Sequence, residues 1–513
     1  MSLVAAADAG SSPAVAAWVN TLAANDPLRQ SARRWLFVLL LVWFVAALVF
    51  VPMGIGSSWR ECDTQAIARN FVSEGFDPLR PRIDWRGDTD GGVECEFPLY
   101  QAMIASVIGC FGEAEWPGRL ISLLAMGFAT WSLHRLLEAR SGPAGALVGA
   151  LVFLTGGHAL LLGARVTPDA LSTGFALAGL VAFLQFLGTG RTRTLVLATV
   201  MTTVACLTKP TALQIGLLQF LWTVCVAPRR LRELRIWIAW AVVLVVVAAW
   251  IVRGMQLYAE TGLTFGVASG GETKFPTLRS LREKWIWIWL GVTTLEYGVS
   301  AFGFVGILLL LFRRCLDRAD LALLVVVGLG LVGTLRYSHH FGVGPQYHVF
   351  AAVAGAFFAA RAWPQSPPRV AWLLLLAVLA AVGAWRVRQE RTFRLDCLQP
   401  STMAAGAVVE SMSVPSELAV VHGNRAAVDA FWQRRTNFEE PMLFYHARRR
   451  GWVLPRDGFA IATLDALHRR GARIVVAQFP TETSPDVLAW LEARAEAMKD
   501  LGDRRIYRLR AAS

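Results

Sequence analysis

The stretch WLFVLLLVWFVAALVFV, from Trp35 to Val51, runs seventeen residues without a charge or a hydroxyl group. A hydrocarbon core takes roughly 20 apolar residues as a helix to cross, so this block is a span by length and chemistry. Arg29, Arg33 and Arg34 stand just before it, which places the N-terminus on the inside. Working along the chain, further apolar blocks fall at 118–137, 143–163, 168–188, 194–208, 211–227, 236–253, 298–312, 320–335, 346–360 and 370–385. The spacing predicts a polytopic α-helical membrane protein of about eleven transmembrane helices.

Composition agrees. The 513 residues are 55% hydrophobic and 17% charged, with a mean hydropathy of +0.47. An average soluble chain carries about 25% charged residues. The net charge of +13 sits largely in short arginine clusters between apolar blocks, such as Arg229-Arg230-Leu231-Arg232 and Arg313-Arg314. That distribution marks cytoplasmic loops rather than a basic face for nucleic acid, so no nucleic-acid partner is expected. No small-residue cleavage site follows the first block, which is therefore expected to remain as an anchor.

Alternation from an inside N-terminus puts Arg135/Arg140, Arg191/Arg193, Arg229–Arg235, Arg313–Arg318 and Arg361/Arg369 all inside. The expected organisation is a cytoplasmic tail over 1–34, a membrane domain over 35–387 and an outer C-terminal domain over 388–513. Two large outer loops, 54–117 and 254–297, interrupt the membrane domain. In the first, Thr64–Glu74 and Phe97–Phe111 read as interfacial helices. Between them, Asp77–Gly92, rich in Pro, Gly, Asp and Arg, reads as an ordered or substrate-gated loop. In the second, Trp285, Trp287 and Trp289 suit the headgroup level or sugar stacking.

From about residue 400 the chain becomes more charged and mixed in period. Leu418–Val421, Arg473–Ala477 and Arg505–Leu509 read as strands, and Arg425–Arg435, Phe459–Arg470 and Pro485–Asp500 as helices. A small C-terminal α/β domain fits. Gly423-Asn-Arg lacks the spacing of a phosphate loop.

Charged groups at a membrane surface need a reason. Asp63 in WRECDT, Glu96 in ECEFPLY and Asp169 in RVTPD lie at the outer ends of helices on the same expected side. Each alone reads equally as a helix cap or surface charge. Together, and mixed with Arg60, Arg69, Arg165 and Lys209, they supply carboxylates for acid–base or metal work and cations for a phosphate. His339 and His340 sit on the same side as an exposed polar turn, as phosphate contacts or as ligands. With Glu96 and Asp169, His339 leaves room for a divalent cation, Mg or Mn. Cys62 and Cys95 share the first outer loop, where a disulfide between them can persist.

The ordered set RECDTQAIARNF from Arg60, PRID from Pro81, EFPLY from Glu96, Phe111-Gly and Arg119-Leu-Ile-Ser resembles bacterial glycosyltransferases of the protein mannosyltransferase and aminoarabinose transferase type. These belong to the GT-C superfold. The resemblance is strongest over about 54–210, with Thr167-Pro-Asp169 and Leu207-Thr-Lys209 in family-like places. It implies a glycosyltransferase at the outer face of the bacterial inner membrane, taking a sugar from a polyprenyl-phosphate (undecaprenyl-phosphate) donor to a glycan, lipid or protein acceptor, with inversion. Asp63 is the position matching the family's essential acid. The family often shows an adjacent Asp-Glu pair, whereas here Glu61 and Asp63 flank Cys62, so Glu61 stays a second candidate. Glu96 is expected as a supporting acid. Arg60, Arg69, Asp169, Arg165, Lys209, Tyr100 and His340 are expected around donor and acceptor. A transporter or a non-catalytic glycan-assembly protein is the alternative; the collection of charges at one surface, without repeated halves, argues for the enzyme.

Overall fold

The computed structural model describes residues 27–51, 59–270, 281–334, 345–397, 400–429 and 434–511. Within the described residues, each of the eleven apolar blocks is mostly helix. Five described helices are long and apolar enough to cross a membrane: Pro27–Phe50, Trp116–Thr155, Asp169–Thr189, Leu234–Thr261 and Arg369–Leu395. A sixth arises if Lys284–Glu296 and Ser300–Phe312, bent by 90°, count as one span. The others are shorter apolar helices, so the number of crossings remains an expectation.

The 40-residue helix Trp116–Thr155 joins two blocks that the sequence separates. Its break lies at Gly142, φ 67°, directly before Pro143. Proline removes a helical donor and crowds the preceding turn, and glycine takes the positive φ without a Cβ clash. On Pro27–Phe50, Trp35, Phe37, Leu41, Val45 and Val49 face outward. Such a continuous apolar face suits lipid rather than water.

The chain divides into two compact units. The first comprises Met1–Pro52, Arg119–Ala249 and Lys274–Thr392. Its arginine loops are linked to one another. Asp317 and Asp320 form a capping box at the start of Arg318–Gly333. Asp320, fully buried, accepts from Arg140 at 2.7 Å and from Arg361 at 2.8 Å. Residues of three arginine-bearing loops thus meet at one carboxylate.

The second unit comprises Met53–Gly118, Trp250–Thr273 and Phe393–Ser513. It gathers parts of the three segments that the charge pattern sends outside. The first-loop helices are Trp59–Ser73 and Leu99–Phe111. Trp59–Ser73 is buried throughout Glu61–Ala68. The C-terminal sheet contains β1 (Leu418–His422), β4 (Arg450–Leu454), β5 (Ala472–Ala477), β6 (Ala495–Asp500) and β7 (Arg505–Leu509), in the order β4-β1-β5-β7-β6. Strand β1 runs parallel to β4 and β5, and β7 antiparallel to β5 and β6. Val420, Val475, Tyr507 and Leu491 lie in its core.

Two helical expectations need correction. Arg425–Arg435 contains an antiparallel pair, β2 (Val428–Asp429) with β3 (Arg434–Arg435), rather than a helix. The helix from Pro485 stops at Arg494, and Ala495–Asp500 is edge strand β6, whose side chains are mostly exposed. Charged residues on an edge strand discourage pairing with other chains, and they gave this segment its helix-like composition.

Candidate functional site

Asp63 lies in the second turn of Trp59–Ser73 and is fully buried. Trp85 Nε1–H donates to its Oδ1 at 2.9 Å. Its Oδ2 is buried and has no hydrogen-bond partner among the described residues. Burial pushes the carboxyl up to about 7, against the pull of the Trp85 donor and of Arg60; Asp84 and Glu439 push the same way as burial. A carboxyl poised near neutrality, with one oxygen fixed and the other unused, has the properties of a general base.

Arg60, one turn earlier, pairs with Glu96 Oε2 and sits 4.3 Å from the centroid of the Phe265 ring. Glu96 is thus held by a cation. Glu94, two residues before it, accepts from Ala268 N at 2.7 Å and Ser269 N at 2.9 Å, which fixes the loop carrying Phe265. Arg69 pairs with Asp84 and donates to the Tyr445 carbonyl at 3.1 Å. Tyr100 is buried, and its hydroxyl donates to the Gly118 carbonyl at 2.6 Å. Both residues brace the unit.

Glu61 is also buried, but Arg394 Nη2 donates to its Oε1 at 3.0 Å. The two acids that the sequence left as rivals therefore differ in kind: Glu61 is neutralised by a cation, and Asp63 is opposed by burial. Sequence reasoning did not single out Trp85, Arg394, Glu94 or Glu439. The carbonyl of Glu439 accepts from Trp59 Nε1, and its carboxyl is raised mainly by burial. Of the residues around Asp63, Asp84 had a prior signal as the last residue of the PRID motif, and Glu94 as the first of ECEFPLY.

In the first unit, Asp169 is the first residue of Asp169–Thr189, directly behind the N-cap Pro168. Lys209 Nζ lies 3.6 Å from Asp169 Oδ1 and 5.7 Å from the Tyr347 ring centroid. Arg165 Nε stands 3.6 Å from Glu390 Oε1. These are ion-pair separations, longer than hydrogen bonds.

The expected metal set and the expected disulfide fare differently. No three His, Cys, Asp or Glu side chains gather to hold a metal among the described residues. Glu96 is paired with Arg60. His339 and His340 fall outside the described residues. Cys62 and Cys95 are both buried free thiols, not a disulfide, and burial raises both.

Over residues 96–252 the sequence matches the family model described as dolichyl-phosphate-mannose-protein mannosyltransferase. The segment includes Glu96, Asp169 and Lys209 and begins after Asp63. Among solved structures, ArnT from Cupriavidus metallidurans in the apo state aligns with TM-score 0.64 at 15% identity, covering 93% of this chain and 98% of that one. The chain has the GT-C fold. The same ArnT bound to undecaprenyl phosphate aligns with TM-score 0.59 at 16% identity, over 92% and 97% of the two chains. The archaeal oligosaccharyltransferase AglB from Archaeoglobus fulgidus, in complex with an inhibitory peptide and a dolichol-phosphate, aligns with TM-score 0.57 at 11% identity, over 88% and 70%. No curated protein sequence matches significantly. The segment match is a likeness to a mannosyltransferase family, and the structural matches give the fold.

Proposed function

We propose that the chain transfers a sugar from a polyprenyl-phosphate donor to an acceptor hydroxyl at the periplasmic face of the inner membrane, inverting C1, with Asp63 as the base. The observation that carries this is the Asp63 carboxyl, buried, raised to about 7, and using only Oδ1 for a hydrogen bond among the described residues. Two GT-C structures that align with the chain are described with lipid phosphates, undecaprenyl phosphate and dolichol-phosphate.

The acceptor oxygen attacks C1 while its proton passes to Asp63 Oδ2, and the bond from C1 to the phosphate oxygen breaks with its electron pair going to phosphate. General-base help of this kind contributes about 10²–10⁴-fold. The departing phosphate needs cations. Lys209 and Arg165, which stand 3.6 Å from Asp169 and Glu390 within the first unit, are the proposed partners because each brings a fixed positive charge. Arg60 keeps its charge close to Asp63 and pairs with Glu96.

The donor class is tested by mass spectrometry of lipid copurified with the protein. A polyprenyl phosphate, free or sugar-linked, is expected in the native protein and should be depleted in Lys209→Ala. Equal amounts in both would remove Lys209 from the donor site, and none in the native protein would speak against the donor class.

A further inference from the structure

The loop 77–92 carries no acid or base assigned to the reaction, yet it reaches Asp63. Trp85 is buried, and the one donor of its side chain, Nε1–H, is given to Asp63 Oδ1. Its ring lies 6.3 Å from the Phe265 centroid, the same ring that stacks under Arg60. Phe265 N donates to the Glu94 carbonyl at 2.8 Å, so the platform beneath Trp85 is itself fixed.

The residues on either side of Trp85 are tied to β4, an edge strand of the C-terminal sheet. Gly87 N donates to the Gly451 carbonyl at 2.6 Å, and Gly451 N donates to the Asp84 carbonyl at 3.2 Å. The open edge of the sheet is thus covered by the loop. Gly87 has φ +61°, and a Cβ there would collide with the Trp452 indole, so no other residue fits this approach without strain. Arg470 clasps Asp88 with two bonds of 3.0 and 2.6 Å and lies 5.3 Å over the Trp452 ring. Below the loop, Asp84 is tied to Arg69 and accepts from Asn70 Nδ2 at 3.0 Å.

We propose that Trp85 is a positioning residue for Asp63, and that the β4 edge of the C-terminal domain holds it there. This rests on the reading of Asp63 as the base. A carboxylate turns about its last torsion over a broad range. One donor fixed on Oδ1 restricts that rotation and leaves Oδ2 as the oxygen presented to an acceptor. The same bond favours the charged form, partly offsetting burial. The other groups acting on this carboxyl are Arg60, which favours its charge, and Asp84 and Glu439, which oppose it. The C-terminal domain then serves the chemistry at a distance, through backbone pairing and one indole.

The test uses Trp85→Phe, which keeps a ring against Phe265 and removes the N–H. Dicyclohexylcarbodiimide modifies protonated buried carboxyls, and labelling of residue 63 across pH, read by mass spectrometry, reports its titration without needing a substrate. The native midpoint is expected near pH 7, and Trp85→Phe should raise it by about one to two pH units. Arg470→Ala, on the exposed surface, should move it in the same direction by less, with Arg470→Lys restoring part. A folded Trp85→Phe protein with an unmoved midpoint overturns the proposal, as does absence of any pH-dependent labelling in the native protein. Should Trp85→Phe fail to fold, an unmoved midpoint in Arg470→Ala does the same. If Asp63→Asn abolishes sugar transfer while Trp85→Phe leaves the midpoint unmoved, only this proposal falls. If Asp63→Asn still transfers sugar, the base assignment falls with it.

Discussion

Arg394 and Glu61 form a buried ion pair, Nη2 to Oε1 at 3.0 Å, joining the end of the helix Arg369–Cys397 to the first turn of Trp59–Ser73. Both side chains are at most 4% exposed. Removing one partner strands the other's charge in the interior, at a cost of about 3–5 kcal/mol. Arg394→Ala should therefore lower the thermal unfolding midpoint in detergent sharply, and Arg394→Met with Glu61→Leu should recover much of it. An unchanged midpoint in Arg394→Ala would show that the pair does not hold these segments.

Asp63 makes the opposite prediction for stability. Its folded carboxyl titrates near 7, whereas an unfolded one titrates near about 4. Between those values the folded state holds the proton and the unfolded state does not. Stability therefore falls as pH rises through this window, and the full cost of the buried charge is present above about 7. Asp63→Asn keeps the Trp85 contact without the charge. It should raise the unfolding midpoint at pH 8, with the gain vanishing as pH approaches 4. Native turnover should fall as pH drops through about 7, because the base becomes protonated. A variant less stable than the native protein at pH 8 would contradict the burial argument.

Cys62 and Cys95 should both take up an alkylating reagent when the unreduced protein is unfolded, since both are free thiols. In the folded protein both should react slowly, because they are buried and burial suppresses their thiolates. Protection of the pair in unfolded protein, relieved by reductant, would restore the disulfide.

Orientation is a separate matter. A reporter inserted after Arg193 should read cytoplasm, and one at the C-terminus should read periplasm. A cytoplasmic C-terminus would place Asp63 on the wrong side for the proposed donor, since the first loop and the C-terminal domain belong to one compact unit.

The helical blocks were legible because membrane spans announce themselves by local hydropathy. The strands β1, β5 and β7 were legible for a related reason: each is a short, mostly apolar run whose burial its own residues declare. Strand β4 was not, since RGWVL owes its place to Ala419 and Val421 across the sheet. Asp63 could be found from its motif, but the motif could not separate it from Glu61. That separation depends on Arg394, 333 residues away in sequence, and on Trp85, 22 residues away. Nothing local marks either as a partner.

The central claim is the role of Asp63, and sugar transfer from a polyprenyl-phosphate donor by Asp63→Asn and Glu61→Gln tests it most directly. Asn caps a helix about as well as Asp, so a merely structural Asp63 would tolerate the change. The account predicts that Asp63→Asn folds, retains bound polyprenyl phosphate and loses about 10²–10⁴-fold in turnover. Glu61→Gln, which leaves a hydrogen-bonding group facing Arg394, should lose stability while keeping most of its turnover per folded molecule. Near-normal transfer by Asp63→Asn would contradict the account. If Glu61→Gln were then the inactive variant, the base would be Glu61; if both were active, the carboxylate mechanism itself would be wrong.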